Sequence, residues 1–187
     1  MKFSSLISII LLILVLLAGS SCSCGGGGGT PTPGPTGTPT GGYLEYTDEE
    51  NGFAILYPQG WEMATTGALV SFGAGEADPM CAPQFSVTIA ELSEPMSVDA
   101  WFEELKGNYT AAGGYTPISE EALTVDGVAA IKHVCSIDVY EVAFQSMLLY
   151  VVEDSNGWIV FCACRGDCWS QYETTFDTIV GSFRLLD

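Results

Sequence analysis

The chain has 187 residues, with 23 acidic and five basic side chains and a formal net charge of −18. All 23 acids lie beyond residue 42, where only Lys106, Lys132, Arg165 and Arg184 oppose them. Such a field repels nucleic acid and anionic headgroups and favours cations or a basic protein surface, although scattered acids also serve solubility alone.

Residues 1–20, MKFSSLISIILLILVLLAGS, begin with Lys2 and continue into an apolar run from Leu6 to Ala18, followed by small residues. That is the layout of an export signal. As a helix the run reaches about 20 Å, short of the ~30 Å hydrocarbon core, so cleavage is the expectation rather than permanent spanning. The segment LLAGSSCSC resembles a bacterial lipoprotein signal, which makes Cys22 the expected lipid attachment site. Cleavage before Ser21 with plain secretion, or an uncleaved anchor, are the alternatives; all three export the rest of the chain. Residues 25–42, GGGGGTPTPGPTGTPTGG, have no charge and no large apolar side chain. They cannot bury enough surface to offset their ordering entropy, and they read as a tether. The organisation is therefore a signal peptide at 1–21, an anchored linker at 22–42 and one folded domain at 43–187, whose 145 residues suffice for a sizeable core.

Within that domain Phe53 to Tyr57 reads as a strand ending in a Pro58-Gln59-Gly60 turn, with Trp61 folding back on the core. Residues 68–72 give a second strand, and 84–92 alternate Phe85, Val87 and Ile89 on one face. Between them 73–83 form a loop holding Cys81. Ser97 caps a helix carrying Val98, Trp101, Phe102, Leu105 and Tyr109 on one stripe, read as core rather than as a ligand box. Strands follow at 122–125, 128–139, 143–153 and 158–164. Asp126-Gly127 turns between the first pair, and Asp154-Ser155-Asn156-Gly157 between the last. The last strands are apolar at nearly every position, so both sheet faces are expected to be covered. A final helix carries Trp169, Tyr172, Phe176, Ile179, Val180 and Phe183, with Asp167 or Ser170 as its cap. Helices separated by hairpin-connected strands give an α+β domain.

Three stretches, GFAILYPQGWE, TVDGVAAIKH and FDTIVGSFRLL, resemble the PsbP-like family, and the likeness runs in order from Tyr43 to Leu186. The resemblance implies an antiparallel β-sheet flanked by helices on both faces, the Mog1/PsbP-like α/β/α sandwich. It also implies a binding or assembly domain without enzymatic activity.

The residues give little catalytic chemistry independently of that. His133 is the only histidine and lies in an apolar strand, and no GxxxxGK, GxSxG or HExxH pattern occurs. The segment WIVFCACRGDCW concentrates Cys162, Cys164 and Cys168; with Cys81 and Cys135 they make five cysteines in the folded part. A bridge between Cys164 and Cys168 would clamp the strand-to-helix turn, and thiols outside the cytoplasm tend to oxidise. Buried free thiols remain open, as does a metal site with His133 and Cys135, which the intervening 143–153 strand disfavours. Arg165-Gly166-Asp167 is read as turn chemistry and not as an adhesion motif, and Asn108-Tyr109-Thr110 as a glycosylation pattern only. The expectation is a membrane-tethered module with no cofactor, touching the membrane through its lipid and binding a protein partner of basic character, but no nucleic acid. The alternative is a solute- or cation-binding lipoprotein using acids such as Asp48, Glu49 and Glu50.

Overall fold

The computed structural model describes residues 41–139 and 142–186. Ten strands and two helices appear among them. The strands are β1 (Tyr43–Asp48), β2 (Phe53–Pro58), β3 (Glu62–Thr66), β4 (Leu69–Gly73), β5 (Gln84–Glu91), β6 (Tyr115–Val125), β7 (Val128–Val139), β8 (Val142–Glu153), β9 (Asn156–Arg165) and β10 (Arg184–Leu185). The helices are α1 (Val98–Ala112) and α2 (Trp169–Ser182). Strands β3 to β9 form one seven-stranded sheet in the order β3-β4-β5-β9-β8-β7-β6, antiparallel throughout, and β1-β2-β10 form a small second sheet.

Strand periodicity divides the large sheet into two faces. Register aligns Val70, Val87, Val160, Leu149 and Lys132 across one face. Against this face sit α2 and the small sheet, whose Phe53, Phe176 and Ile179 are wholly buried with Leu149 and Val160. Phe72 and Phe85 stack at 4.6 Å and Phe53 lies over Phe183 at 5.7 Å. Trp61 packs against this core, 6.1 Å from Phe85, after a turn closed by its N–H to the Pro58 carbonyl, as its Gly60-Trp61 setting predicts. The other face carries Ile159, Tyr150, Ile131 and His133, and α1 lies on it through Trp101, Phe102 and Leu105. Burying these three side chains contributes about 2 kcal/mol each. The expected helix-sheet-helix arrangement is therefore present, and β8 and β9 are buried on both sides.

The Ser97 cap is also as expected: its Oγ accepts from the Ala100 N–H at 3.2 Å. The Asp126-Gly127 turn has positive φ at both residues (49° and 86°), as a two-residue hairpin turn of its hand requires. Two expectations need correction. The β8–β9 hairpin turns at Asp154-Ser155, with Glu153 paired to Asn156, so Asn156-Gly157 lies inside β9. Gly157 serves packing there: the Trp101 ring lies where a side chain would start, its Cη2 2.7 Å from an ideal Cβ position. Helix α2 begins at Trp169 after a 3-10 turn, and neither Asp167 nor Ser170 caps it; Asp167 is engaged by Arg165.

Candidate interaction surface and cysteine cluster

The cysteines gather at one end of β9 because of sheet register. β5 runs antiparallel to β9 with Gln84 opposite Ala163, so the loop preceding β5 arrives beside the residues following β9. The Arg165 N–H donates to the Cys81 carbonyl at 3.1 Å, which fixes that approach. Cys81 is thus bonded to Cys168, with Cα atoms 5.6 Å apart. The expected Cys164–Cys168 bridge is not formed. Cys164 alternates with Ala163 on β9 and shares the α2-facing side with Cys162, so both thiols enter the core and remain free, as does Cys135 on β7. Burial raises the Cys162 thiol well above its usual range and pushes Cys135 and Cys164 up to about 12, which holds all three protonated at neutral pH. A thiol in that form is a poor nucleophile and a poor metal ligand.

The disulfide does not hold its loop alone. Asp78 accepts from the Tyr172 hydroxyl of α2 and from the Cys81 N–H at 3.1 Å. These two bonds, the Tyr172 bond first, lower the Asp78 carboxyl below its ordinary value. The same end contains Arg165-Gly166-Asp167. Its guanidinium and carboxylate are bonded to each other at 3.0 Å, so the tripeptide closes on itself as a turn.

His133 and Cys135 belong to the α1-facing side of β7, whereas Cys162 and Cys164 face α2 from β9, with β8 between. The sheet separates the two pairs. Among the described residues no group of three or more His, Cys, Asp or Glu side chains could hold a metal. His133 is fully buried, and both ring nitrogens are engaged. Nδ1 lies 3.0 Å from the Ser119 carbonyl, which can only accept, so Nδ1 carries the proton. Nε2 then accepts from the Tyr115 hydroxyl at 2.9 Å. Burial lowers the imidazole from its ordinary 6.5, consistent with this neutral form. The bond to Ser119 matters locally, because the β6–β7 register shifts between Pro117 and Ser119. The histidine ties down the irregular part of the edge strand.

The acidic surface is the remaining feature. Every lysine and arginine among the described residues is already in an ion pair. Lys106 contacts Glu120 at 2.7 Å and Glu103 at 3.5 Å, Lys132 contacts Asp177, and Arg184 contacts Glu45 at 3.2 Å. Among the described residues the acidic excess therefore has no internal counter-charge left to meet it. Of the Asp48-Glu49-Glu50 run, Asp48 is committed internally: it accepts from the Asn51 N–H and side-chain amide at 3.0 and 2.9 Å, closing the β1–β2 turn. Glu49 and Glu50 are exposed beside it. Cys22 lies outside the described residues. No helix among those described is long and apolar enough to cross a membrane.

Comparison with known proteins places this architecture. Cyanobacterial PsbP from Synechocystis sp. PCC 6803 superimposes with a TM-score of 0.61 at 21% identity, over 81% of this chain and 99% of that one. LpqN of Mycobacterium tuberculosis, described as involved in cell envelope biogenesis, gives 0.61 at 14% identity over 78% of this chain and 92% of its own. A putative regulator of unknown function from Pseudomonas aeruginosa gives 0.55 at 11% identity, covering 73% and 92%. At these identities the structures speak to fold alone. No curated protein matches the sequence. The family model described as PsbP-like protein matches residues 40–185, essentially the whole folded region. The chain belongs to the PsbP-like protein family.

Proposed function

We propose that this chain is an exported lipoprotein, anchored through Cys22 and the 25–42 tether, whose PsbP-like domain binds a basic protein partner without catalysing a reaction. One observation carries the reading: all four basic side chains of the domain are engaged in internal ion pairs, so a large acidic excess is presented outward with no further basic side chain among the described residues to neutralise it. An unsatisfied field of one sign steers and selects a partner of the other. The interior offers no poised chemistry to compete with this, since its histidine is neutral and doubly bonded and its free thiols are buried and protonated. The leader and the tether support placement on the outer face of the cell membrane, and the fold is one that LpqN, an envelope-biogenesis protein, also uses.

Mass spectrometry of the mature N-terminus, together with cross-linking in native membranes, tests the proposal. A lipid-modified Cys22 and a cross-linked basic protein are the expected results. An unmodified Ser21 start would remove the anchor. Calcium binding detected by calorimetry, with no protein partner captured, would favour the cation-binding alternative.

A further inference from the structure

Strand β6 is the outermost strand of the seven-stranded sheet, and residues 116–122 are exposed without interruption. On such a strand alternate residues direct N–H and C=O groups away from the sheet, where another strand can add. Two of the usual protections, a proline and a bulge, fall only at its beginning. Pro117 lacks an N–H, and the register shift falls between Pro117 and Ser119. From Ser119 to Val125 pairing with β7 is unbroken, leaving a regular edge of about 24 Å. The start of that edge is held by His133 through the Ser119 carbonyl, so little ordering remains to be done on binding. The opposite edge of the sheet, β3, has only five residues.

Charge decides what can add there. Lys106 is shared between Glu103 and Glu120 on the α1 side of the strand. On the other side Glu121 stands opposite Lys132, whose ammonium is taken by Asp177. Two lysines face four carboxylates along the strand, so the edge is negative on both faces. Antiparallel pairing with a second copy would bring Glu120 and Glu121 close to their counterparts, which like-charge repulsion disfavours. We infer that the Ser119–Val125 edge of β6 is a docking strand for an extended segment of a basic protein, pairing main chain to main chain while two consecutive Lys or Arg side chains, one directed to each face, meet Glu120 and Glu121. This names the partner's form and rests on the protein-binding reading above.

The test uses the full chain in detergent micelles and a seven-residue peptide of valine and threonine with two adjacent lysines at its centre, blocked at both ends. The controls are the same peptide N-methylated on alternate residues and a version with glutamates in place of the two lysines. The lysine peptide should slow amide exchange at 119–125, the N-methylated one should bind at least ten-fold more weakly, and the glutamate one should not bind. E120Q/E121Q should weaken binding about three- to ten-fold, with unchanged exchange in β8 and β9 reporting an intact fold. Equal binding of the methylated peptide, or protection elsewhere, would overturn the docking strand while leaving an acidic surface that attracts basic partners. No binding by any lysine peptide would overturn both. Protection of 119–125 that grows with protein concentration in the absence of peptide would assign the edge to a second copy and overturn the inference.

Discussion

Removing Cys81 separates the observed bridge from the one expected locally, because the two close loops of very different length. Cys81 and Cys168 are 87 residues apart in sequence. Closing a loop of that size removes about 15 cal/mol/K from the unfolded chain, or about 4.5 kcal/mol at 25 °C, whereas a Cys164–Cys168 loop would contribute about 2 kcal/mol. For a domain of this size the larger figure lowers Tm by about 15 °C. Cys81→Ala and Cys168→Ala should therefore fall together in thermal unfolding followed by circular dichroism, and reductant should bring the native chain down to the same level. Cys164→Ala should cost about 1–2 kcal/mol, a small cavity's worth, and should remain sensitive to reductant. If Cys164→Ala abolished the reductant effect while Cys81→Ala kept it, the register argument that brings Cys81 to Cys168 would be refuted.

Gly157→Ala should destabilise by about 1–3 kcal/mol in urea unfolding, because a Cβ would start 2.7 to 3.1 Å from three ring atoms of the buried Trp101; a change under about 0.5 kcal/mol would show that α1 is not seated as described. His133 has a folded pKa below its unfolded 6.5, so the unfolded chain takes up the proton first. Stability should be full above pH 6.5 and decline as pH falls below it, at up to about 1.4 kcal/mol per pH unit, and His133→Gln should flatten the difference between pH 7.5 and 5.5. Ser146 is fully buried and its Oγ has no hydrogen-bond partner among the described residues. Ser146→Ala should thus leave stability unchanged or raise it by about 1 kcal/mol; a loss above 1 kcal/mol would mean that the hydroxyl has a partner.

What was legible in the sequence followed from pattern strength. Phe85, Val87 and Ile89 announce β5, Trp101, Phe102 and Leu105 announce α1, and Asp126-Gly127 announces its turn, because in each case local preference and burial agree. Asn156-Gly157 misled for a physical reason. The dipeptide carries turn chemistry, but here the glycine is required by a tryptophan 56 positions earlier in the chain, a contact no local window contains. The first half of β6 was illegible because it buries almost nothing: Pro117, Ile118, Glu120 and Glu121 are all exposed, and their strand conformation comes from pairing with β7. β3 was hidden in the same way, with Glu62 and Thr66 exposed. Five cysteines could be counted, but the partner of Cys168 depends on which strand lies beside β9, and strand order is not a local property. The candidate edge was therefore invisible for the very feature that makes it accessible.

The central claim, an acidic outward-facing module that works by binding, is tested most directly by a photo-reactive side chain placed at position 121 and activated in intact cells. The account predicts one dominant adduct with an exported protein of basic isoelectric point, suppressed by high salt and absent when the probe is moved to Ser71 on β4. Adducts only with cytosolic proteins, or equal labelling from both positions, would contradict it.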